Sequence, residues 1–364
     1  MLEASPEMEL LDVQQSVVAP TVYRKAHPRL DDRHLAVTTI YMLSPGHIAL
    51  ICTHLRLLCS LECVIALLRA FAFQFLEEIV VQVEDLVYDI LFKSFAQELA
   101  SRPFARERMT TIDLQLGQLS NEPLNEAVPI FLRAELAPLF ALSALQALSI
   151  RGHCHVILDD AALDDVSRAW PGITALYLEP ARRSKDALVI RLHNPAWPPA
   201  TMTGLLCIAE RCHHLRSLGL ALDLTALPST SELRRALDRL ASQESLCSLR
   251  SLAVGWSPFG DHVRLASILS AWFPSLTMIK DARNQPVFGE EIWKSIGERP
   301  FGYCATDENE DIHRRWQETA KLVPRYARVR AQERGVGRWV HHEHAYASDS
   351  ANGSLRTVET LSVA

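Results

Sequence analysis

The side chains best suited to chemistry in this sequence are histidines, cysteines and aspartates that lie close together in short stretches. The first stretch, RGHCHVILDD, contains His153, Cys154, His155, Asp159 and Asp160. A cysteine beside histidines is the residue pattern of a thiol nucleophile or of a metal site. Adjacent residues of an extended segment point to opposite faces, so the His-Cys-His side chains do not converge on one point. We therefore expect a loop that leaves a strand, and no catalytic residue.

Two further stretches have the residue types of a zinc site. One contains Cys207 and Cys212 with His213 and His214, and the other is the histidine-rich WVHHEHAYA near the end of the chain. Zinc sites usually show paired ligand clusters, and no second pair lies at a matching distance from the cysteines. We also find no glycine-rich phosphate loop, nucleophile elbow or histidine–glutamate zinc helix. The sequence predicts no metal site, no cofactor and no enzymatic activity.

Composition and charge are those of an ordinary globular protein. The chain has 364 residues, of which 48% are hydrophobic and 22% charged, and its net charge is −6. This charge gives no electrostatic reason to expect nucleic-acid binding. The first residues are acidic and lack a secretory leader, so the eight cysteines indicate reduced thiols and a location in the cytosol or nucleus.

One apolar stretch, residues 35–76, raises the question of a membrane span. It is broken by Ser44-Pro45-Gly46, and charges recur at Arg56, Glu62 and Arg69. A charge at the bilayer centre costs about 2.5–3.5 kcal/mol on insertion scales, which favours buried helices of a soluble protein. A membrane-associated protein is the alternative, and partition into a detergent phase would support it.

Aliphatic residues spaced three and then two positions apart indicate the strands that position these residues. In CHHLRSLGLALD they are Leu215, Leu218 and Leu220. Strand side chains alternate between faces, so Leu218 and Leu220 point into a core that Leu215 fills from the preceding turn. The spacing recurs in LSALQALSI, PGITALYLE, LCSLRSLAV and FPSLTMIKD, and more weakly in RMTTIDLQL and FLEEIVVQV. We predict a short strand at each, with Leu148, Leu176, Leu218 and Leu252 in one interior.

Helical spacing separates these strands. TMTGLLCIAERC, STSELRRALDRLASQ and DHVRLASILSAWF each carry one apolar face; Thr201 is the expected N-cap of the first, and Ser229 or Ser231 that of the second. The intervals from Leu145 to Ile173, Leu215, Leu249 and Leu276 are 28, 42, 34 and 27 residues, against about 20–29 in regular leucine-rich repeats. The sequence therefore predicts an α/β fold: an irregular leucine-rich-repeat-like solenoid, with parallel strands on its concave face and helices outside.

The predicted domain organisation has three parts. Residues 1–34 and 335–364 are expected to be disordered, and residues 35–334 form the solenoid. Within it, residues 35–108 make an atypical helical N-terminal part, and 306–334 form a closing helix that Pro324 kinks or splits. Eight basic residues and two acids lie between Arg314 and Arg338; these either attract phosphate or an acidic partner, or form a solvated helical face.

Residues 109–334 resemble the leucine-rich-repeat-like domain of F-box proteins of mushroom-forming (basidiomycete) fungi. The similar stretches are LDDAALDDVSRAWPGITALYLEP, LLCIAERCHHLRSLGLALDLTALP, LRSLAVGWSPFGDHVRLASILSAWFPSLTMI and HRRWQETAKLVPRYARVRAQE. Family members with an F-box bind the adaptor subunit of a cullin-based ubiquitin ligase, and their repeats are thought to hold the target. This sequence has no recognisable F-box helix start of the LPxELLxxIF type; LEEIVVQVEDLVYDILFKSF fits better as a strand and a helix.

The resemblance implies a non-catalytic protein-interaction module similar to the substrate receptor of such a ligase, whose protein target the sequence does not name. The alternative is a free repeat scaffold or degenerate paralogue with no ligase role. Residues between the core leucines face the concave surface, and the expected partner-binding residues there are Arg151, Tyr177, Glu179 and Lys280.

Overall fold

The computed structural model describes most of the chain between residues 53 and 352. The described ranges are 53–83, 87–117, 129–152, 154–178, 199–243, 246–255, 257–281 and 307–352, with short strand segments at 8–12, 21–25, 41–42 and 49–51. Antiparallel strands Met8–Asp12 and Thr21–Lys25 lie in the segment for which the sequence predicts disorder.

The fold is α/β, built on an eight-stranded parallel sheet that does not close into a barrel. Its strands follow one another across the sheet in chain order, so each strand pairs with the previous and the next. They are β1 (His54–Leu58), β2 (Glu78–Val83), β3 (Thr111–Leu116), β4 (Ala147–Gly152), β5 (Ala175–Leu178), β6 (Ser217–Gly219), β7 (Ser251–Gly255) and β8 (Met278–Asp281). Shorter pairings outside this sheet join Ala49–Ile51 to Tyr41–Met42 and Ala72–Phe73, and Ile130–Phe131 to His155–Val156.

Helices connect the strands and form a second layer. They are α1 (Leu61–Ala70), α2 (Asp89–Ser101), α3 (Pro103–Arg108), α4 (Arg133–Leu136), α5 (Asp160–Ala169), α6 (Met202–Arg211), α7 (Thr230–Ala241), α8 (His262–Trp272) and α9 (Asp307–Asn352). A 3₁₀ helix, Ala137–Ala141, follows α4. No helix in the described ranges combines the length and the apolar character that spanning a bilayer requires.

One row of aliphatic residues runs across the whole sheet. Leu148, Leu176, Leu218 and Leu252 are direct partners on successive strands, and all four are at most 1% exposed. The row continues in both directions through Leu55, Ile79, Ile112 and Ile279. All eight belong to or pack against one continuous hydrophobic core that also contains the buried helix residues. The prediction that the three-then-two spacing marks strands with a shared interior is confirmed.

The turn before each strand explains the first position of that spacing. Leu215 is fully buried, and its amide donates a hydrogen bond of 3.2 Å to the carbonyl of Cys212, which ends α6. The same bond joins Ile173 to Trp170 after α5, and Leu276 to Phe273 after α8. A helix that stops in this way points its next aliphatic residue back into the core, three residues before the first core residue of the strand.

A repeated backbone contact holds successive turns together. The carbonyl of Gln146 accepts amides from Thr174 and Ala175, at 2.7 and 3.1 Å, in the following turn. The accepting carbonyls, in chain order, are those of Thr53, Glu77, Thr110, Gln146, Thr174, Arg216 and Arg250. Each accepts the last turn amide and the first strand amide of the next unit, so the turns stack in register although the segments between them differ in length.

The expected helix starts are observed. Thr201 accepts the amide of Thr203 at 3.1 Å at the start of α6, and Ser229 forms a capping box with Glu232 at the start of α7. Asp261 caps α8 through the amides of Val263 and Arg264.

The two ends of the described region differ from expectation. The N-terminal part, 35–108, contains the helices α1, α2 and α3, and it also contributes β1 and β2, the first strands of the main sheet. At the other end α9 runs to Asn352, beyond residue 334 where the sequence predicts its end, and it continues through Pro324. Its Trp316 is buried, donates from Nε1 to the carbonyl of Ser257 at 2.9 Å and packs on the ring of Phe259.

Candidate functional site

One face of the sheet is not covered by any helix in the described ranges, and we call it the helix-free face. It consists of the side chains that alternate with the buried aliphatic row. Its first row, in sheet order, is His54, Glu78, Thr111, Ala147, Ala175, Ser217, Ser251 and Met278. Its second row is Arg56, Val80, Asp113, Ser149, Tyr177, Gly219, Ala253 and Lys280, and a shorter third row is Leu58, Gln82, Gln115 and Arg151.

Charged and amide side chains dominate this face on β1 to β4. Arg56 and Glu78 form an exposed ion pair of 3.3 Å between β1 and β2. Arg151 on β4 donates from one terminal nitrogen to both carboxylate oxygens of Asp113 on β3, at 2.7 and 2.9 Å. Both pairs join neighbouring strands, so the charges of this half largely neutralise one another.

Arg151 lies on the predicted face, but its side chain is buried rather than available as an anchor. The residue is 7% exposed, whereas the side chain of its partner Asp113 is 28% exposed. The sequence analysis missed Asp113, although its place between Ile112 and Leu114 in TIDLQL puts it on the same face. The more accessible charge at this point of the face is therefore an acid.

Tyr177 lies at the centre of the second row and is also largely buried, with 6% of its surface exposed. A Cβ built on Gly219, its partner on β6, would come 2.4 Å from Cδ2 and 2.6 Å from Cε2 of the Tyr177 ring. The ring therefore lies over the backbone of Gly219, which leaves a smooth strip where the two strands meet.

Small residues occupy most of the face on β5 to β7. Ala175, Ser217 and Ser251 are half-buried, and Ala253 is buried. On the edge strand β8, Met278 is 47% exposed and Lys280 is half-buried; burial lowers the pKa of Lys280 below its ordinary value of 10.5. A bulky side chain from a partner could approach the backbone closely here.

The fourth predicted binding residue, Glu179, lies outside the described residues. The other three lie on the helix-free face, with Tyr177 and Lys280 in one row and Arg151 in the next. The register therefore brings the three to a common surface, although only Lys280 keeps substantial exposure.

At least two polar atoms of this face are buried with no hydrogen-bond partner among the described residues: Oγ of Ser149 on β4 and Oε1 of Gln115 on β3. Unsatisfied buried polar atoms are uncommon in folded proteins because each costs about 1–3 kcal/mol. Both atoms lie beneath the surface of the face, close to Asp113 and Tyr177 in the strand register.

The two aspartates of the stretch RGHCHVILDD have structural roles, because both cap helices. Asp159 caps its own helix α5 through the amide of Ala162 at 2.7 Å. Asp160 instead caps the next helix, accepting from the amide and hydroxyl of Thr201 at 2.7 Å and from the amide of Gly204 at 2.9 Å. The paired aspartates therefore hold two neighbouring helices together.

The cysteines near α6 have the properties of core thiols. Burial raises the pKa of Cys212 to about 12 and that of Cys247 to about 11, and Sγ of Cys247 lies 3.1 Å from the carbonyl of Cys212. Burial and the neighbouring Asp164 carboxylate also raise the pKa of Cys207. Protonated thiols are poor nucleophiles. In the described part of the chain no three histidine, cysteine or acidic side chains are placed to hold one metal ion.

A cavity of about 370 Å³ lies on the helix-bearing side of the sheet, between β8 and α9. Ile279 and Trp316 are among its walls, and Lys321 is at its rim. Asp281 also lines it and contacts His313 of α9. It is separate from the helix-free face, since Ile279 belongs to the buried row.

No protein-family model matches this chain, and no curated protein shows significant similarity to it.

Proposed function

We propose that this protein is a non-catalytic protein-interaction module, and that its helix-free face binds a protein target. The observation that carries the proposal is that the two faces of the sheet differ: the aliphatic row faces one core, and no helix of the described ranges packs over the opposite side chains. Parallel sheets of α/β proteins normally have helices on both faces. The first row of this face and the side chains of Arg56 and Asp113 are at least partly exposed and therefore available to another molecule, whereas Tyr177, Gly219 and Ala253 are buried.

The proposed architecture is an irregular leucine-rich-repeat-type solenoid with this face on its concave side. The stacked turns, the strand order that follows the chain and the variable segments between strands all support it. In a solenoid each unit buries its apolar edge against its neighbours only, so the segments outside the turns are free to vary in length.

The face favours a protein partner with a mixed polar and apolar surface. The Asp113 carboxylate would accept hydrogen bonds, and the small half-buried side chains of Ala175, Ser217 and Ser251 admit close approach. Met278 adds an exposed apolar contact at the edge.

The proposed biological role is substrate recognition for a cullin-based ubiquitin ligase, and it rests on the resemblance to fungal F-box proteins. The alternative is a free repeat scaffold or degenerate paralogue, which the lack of a recognisable F-box helix start favours. The two roles differ in one measurable property, direct binding to the adaptor subunit.

The test of the ligase role is a binding titration of the full chain against the recombinant fungal adaptor subunit. A micromolar or tighter complex under native conditions supports ligase membership. No binding at 100 µM adaptor refutes it and leaves the free scaffold.

The test of the binding face uses a bulky double substitution, Ser217→Arg with Ser251→Arg, in the first row of the helix-free face. Crosslinking mass spectrometry on the tagged full chain identifies its partners. The matched control is Ala161→Arg with Ala241→Arg, on exposed positions of α5 and α7, which adds the same charge. A partner lost only in the face variant supports the proposal, and equal retention in both variants contradicts it.

A further inference from the structure

The exposed side of α9 carries four basic residues along one line, which we call the basic stripe: Arg314, Lys321, Arg325 and Arg328. Their spacings of seven, four and three residues keep them within about 60° of one another around the helix and spread them over about 21 Å of its length. All four are exposed. Arg314 pairs with Asp311 at 2.6 Å; within the described part of the chain, no acidic side chain pairs with the other three.

Of the four cations of the stripe only Arg314, through Asp311, has an ion pair in the described ranges, and the other three repel one another. Lys321 and Arg325 are four residues apart and Arg325 and Arg328 three apart, and each like-charge pair destabilises a helix by about 0.2–0.5 kcal/mol. A helix dipole favours cations only in the last turn, but α9 continues to Asn352. The dipole therefore does not account for them.

Two arginines on earlier helices differ from those of the basic stripe because they form ion pairs with a neighbouring helix. Arg69 on α1 pairs with Glu98 on α2, and Arg239 on α7 pairs with Glu210 on α6, each across a helix–helix contact. Arg315 and Arg330 of α9 bind carbonyl and hydroxyl groups of the preceding elements, whereas the four cations of the basic stripe lie on the exposed side, opposite the buried Trp316 and Val323. A local arrangement that costs stability without an internal gain is typical of a functional surface.

We propose that the basic stripe binds an acidic helical segment of another protein. A partner helix has the same rise per residue, so acids spaced seven, four and three residues apart can meet the four cations in order. Exposed ion pairs contribute about 0.2–1 kcal/mol each, which predicts weak, salt-sensitive binding from the stripe alone.

The structure favours an acidic protein over a membrane or a nucleic acid. A helix that lies in a membrane interface needs a free apolar face, and that face of α9 is packed against α8. Nucleic-acid binding is opposed by the net charge of −6.

The experiment measures binding of a labelled alanine-based helical peptide, with glutamates at spacings of seven, four and three residues, to the full-length protein by fluorescence anisotropy. The stripe variant is Lys321→Glu, Arg325→Glu and Arg328→Glu, and we expect at least tenfold weaker binding. The control variant is Lys93→Glu, Arg216→Glu and Arg234→Glu; these residues are also exposed, the charge change is the same, and we expect affinity within twofold of the natural chain.

A second variant keeps the proposal testable if charge reversal disturbs the fold. This triple variant carries Lys321→Gln, Arg325→Gln and Arg328→Gln, which remove the repulsion between the three cations. We therefore expect unchanged or higher thermal stability together with at least fivefold weaker peptide binding. Ser217→Arg with Ser251→Arg should bind the peptide like the natural chain, which separates this surface from the helix-free face.

Three results would overturn the proposal. They are equal binding by the stripe variants, equal binding of a peptide with the same glutamates in scrambled order, and tighter stripe-dependent binding of double-stranded DNA or phosphatidylserine vesicles than of the peptide.

Discussion

Tyr177 and Gly219 occupy neighbouring positions of the second row, and the position of the Tyr177 ring requires that residue 219 has no side chain. The ring can lie flat only because residue 219 has no Cβ, since the nearest ring atom would be 2.4 Å from it. Gly219 has an ordinary backbone conformation, so the requirement for glycine here is one of space and not of φ.

We therefore expect Gly219→Ala to displace the Tyr177 ring and lower the free energy of unfolding by about 1–3 kcal/mol, as overpacking does elsewhere. Urea unfolding measures the change. The matched control is Gly172→Ala, because a Cβ there meets no atom within 4 Å. Equal stability of the two variants would show that the ring moves away without cost.

Glu98 is a second residue whose surroundings determine its chemistry. Burial acts to raise its pKa, but hydrogen bonds from Arg69 at 2.9 Å and Arg102 at 2.5 Å, with their positive charges, outweigh burial and hold the pKa below its ordinary value of 4.5. A carboxyl group whose pKa is lower in the folded state stabilises the fold above pH 4.5, and that stabilisation is lost as the pH falls through the lowered value.

Glu98→Gln should lower the free energy of unfolding at pH 7 by about 1.5–3 kcal/mol, the range for hydrogen bonds to a charged group. The difference from the natural chain should shrink as the pH falls below 4.5. Denaturant titrations at pH 7, 5, 4 and 3 test both points, with Glu62→Gln on the exposed side of α1 as the control. A difference that stays constant with pH would contradict the role of the charge.

At the scale of the elements, α5 and α6 are joined through Asp160. Asp160 lies in the first turn of α5, and its carboxylate caps the N-terminus of α6 by accepting hydrogen bonds from Thr201 and Gly204. We expect Asp160→Ala to cost about 1–3 kcal/mol and to increase hydrogen exchange of the first α6 amides.

The comparison for this prediction is Asp165→Ala, also on α5, which removes an ion pair with Arg133 whose two side chains are 31% and 50% exposed. An exposed pair contributes about 0–1 kcal/mol. If Asp160→Ala changed neither stability nor α6 exchange more than this control, the capping contact would have no energetic weight.

Most strands and helix starts were predictable because their signals are local. The three-then-two spacing located the strands from β2 to β8, and Thr201 and Ser229 begin their helices as expected. The strand β1 was missed because HLRLL lies in an apolar stretch, where periodicity over a few residues does not distinguish a strand from a helix.

The candidate site was predictable only in part, for a different reason. Alternation along a strand assigns Arg151 and Tyr177 to the correct face, but burial depends on contacts across strands. Arg151 is buried and pairs with Asp113, 38 residues earlier, and Tyr177 is buried beside Gly219 on the next strand. Such contacts depend on the order and register of the strands, which no local pattern contains.

At the scale of the whole molecule, the aliphatic row passes through every strand of the sheet, yet each member touches only the strands beside it. Leu176 and Leu218 are direct partners on β5 and β6. Leu55 on β1 and Leu252 on β7 are separated by about 29 Å, since neighbouring strands lie about 4.8 Å apart. In a stack of units, energetic coupling should follow this geometry.

Double-mutant cycles test that expectation. Each leucine-to-alanine change should cost about 2–5 kcal/mol. The pair Leu176→Ala and Leu218→Ala should show a coupling energy of about 0.5–3 kcal/mol, whereas Leu55→Ala and Leu252→Ala should add within about 0.3–0.5 kcal/mol. Urea unfolding measures each free energy of unfolding. Trimethylamine N-oxide is present throughout, because it keeps the double variants folded at the start of each titration. Coupling of the distant pair as strong as that of the adjacent pair would mean that the core behaves as one undivided unit, and the nearest-neighbour description on which the proposed solenoid depends would be wrong.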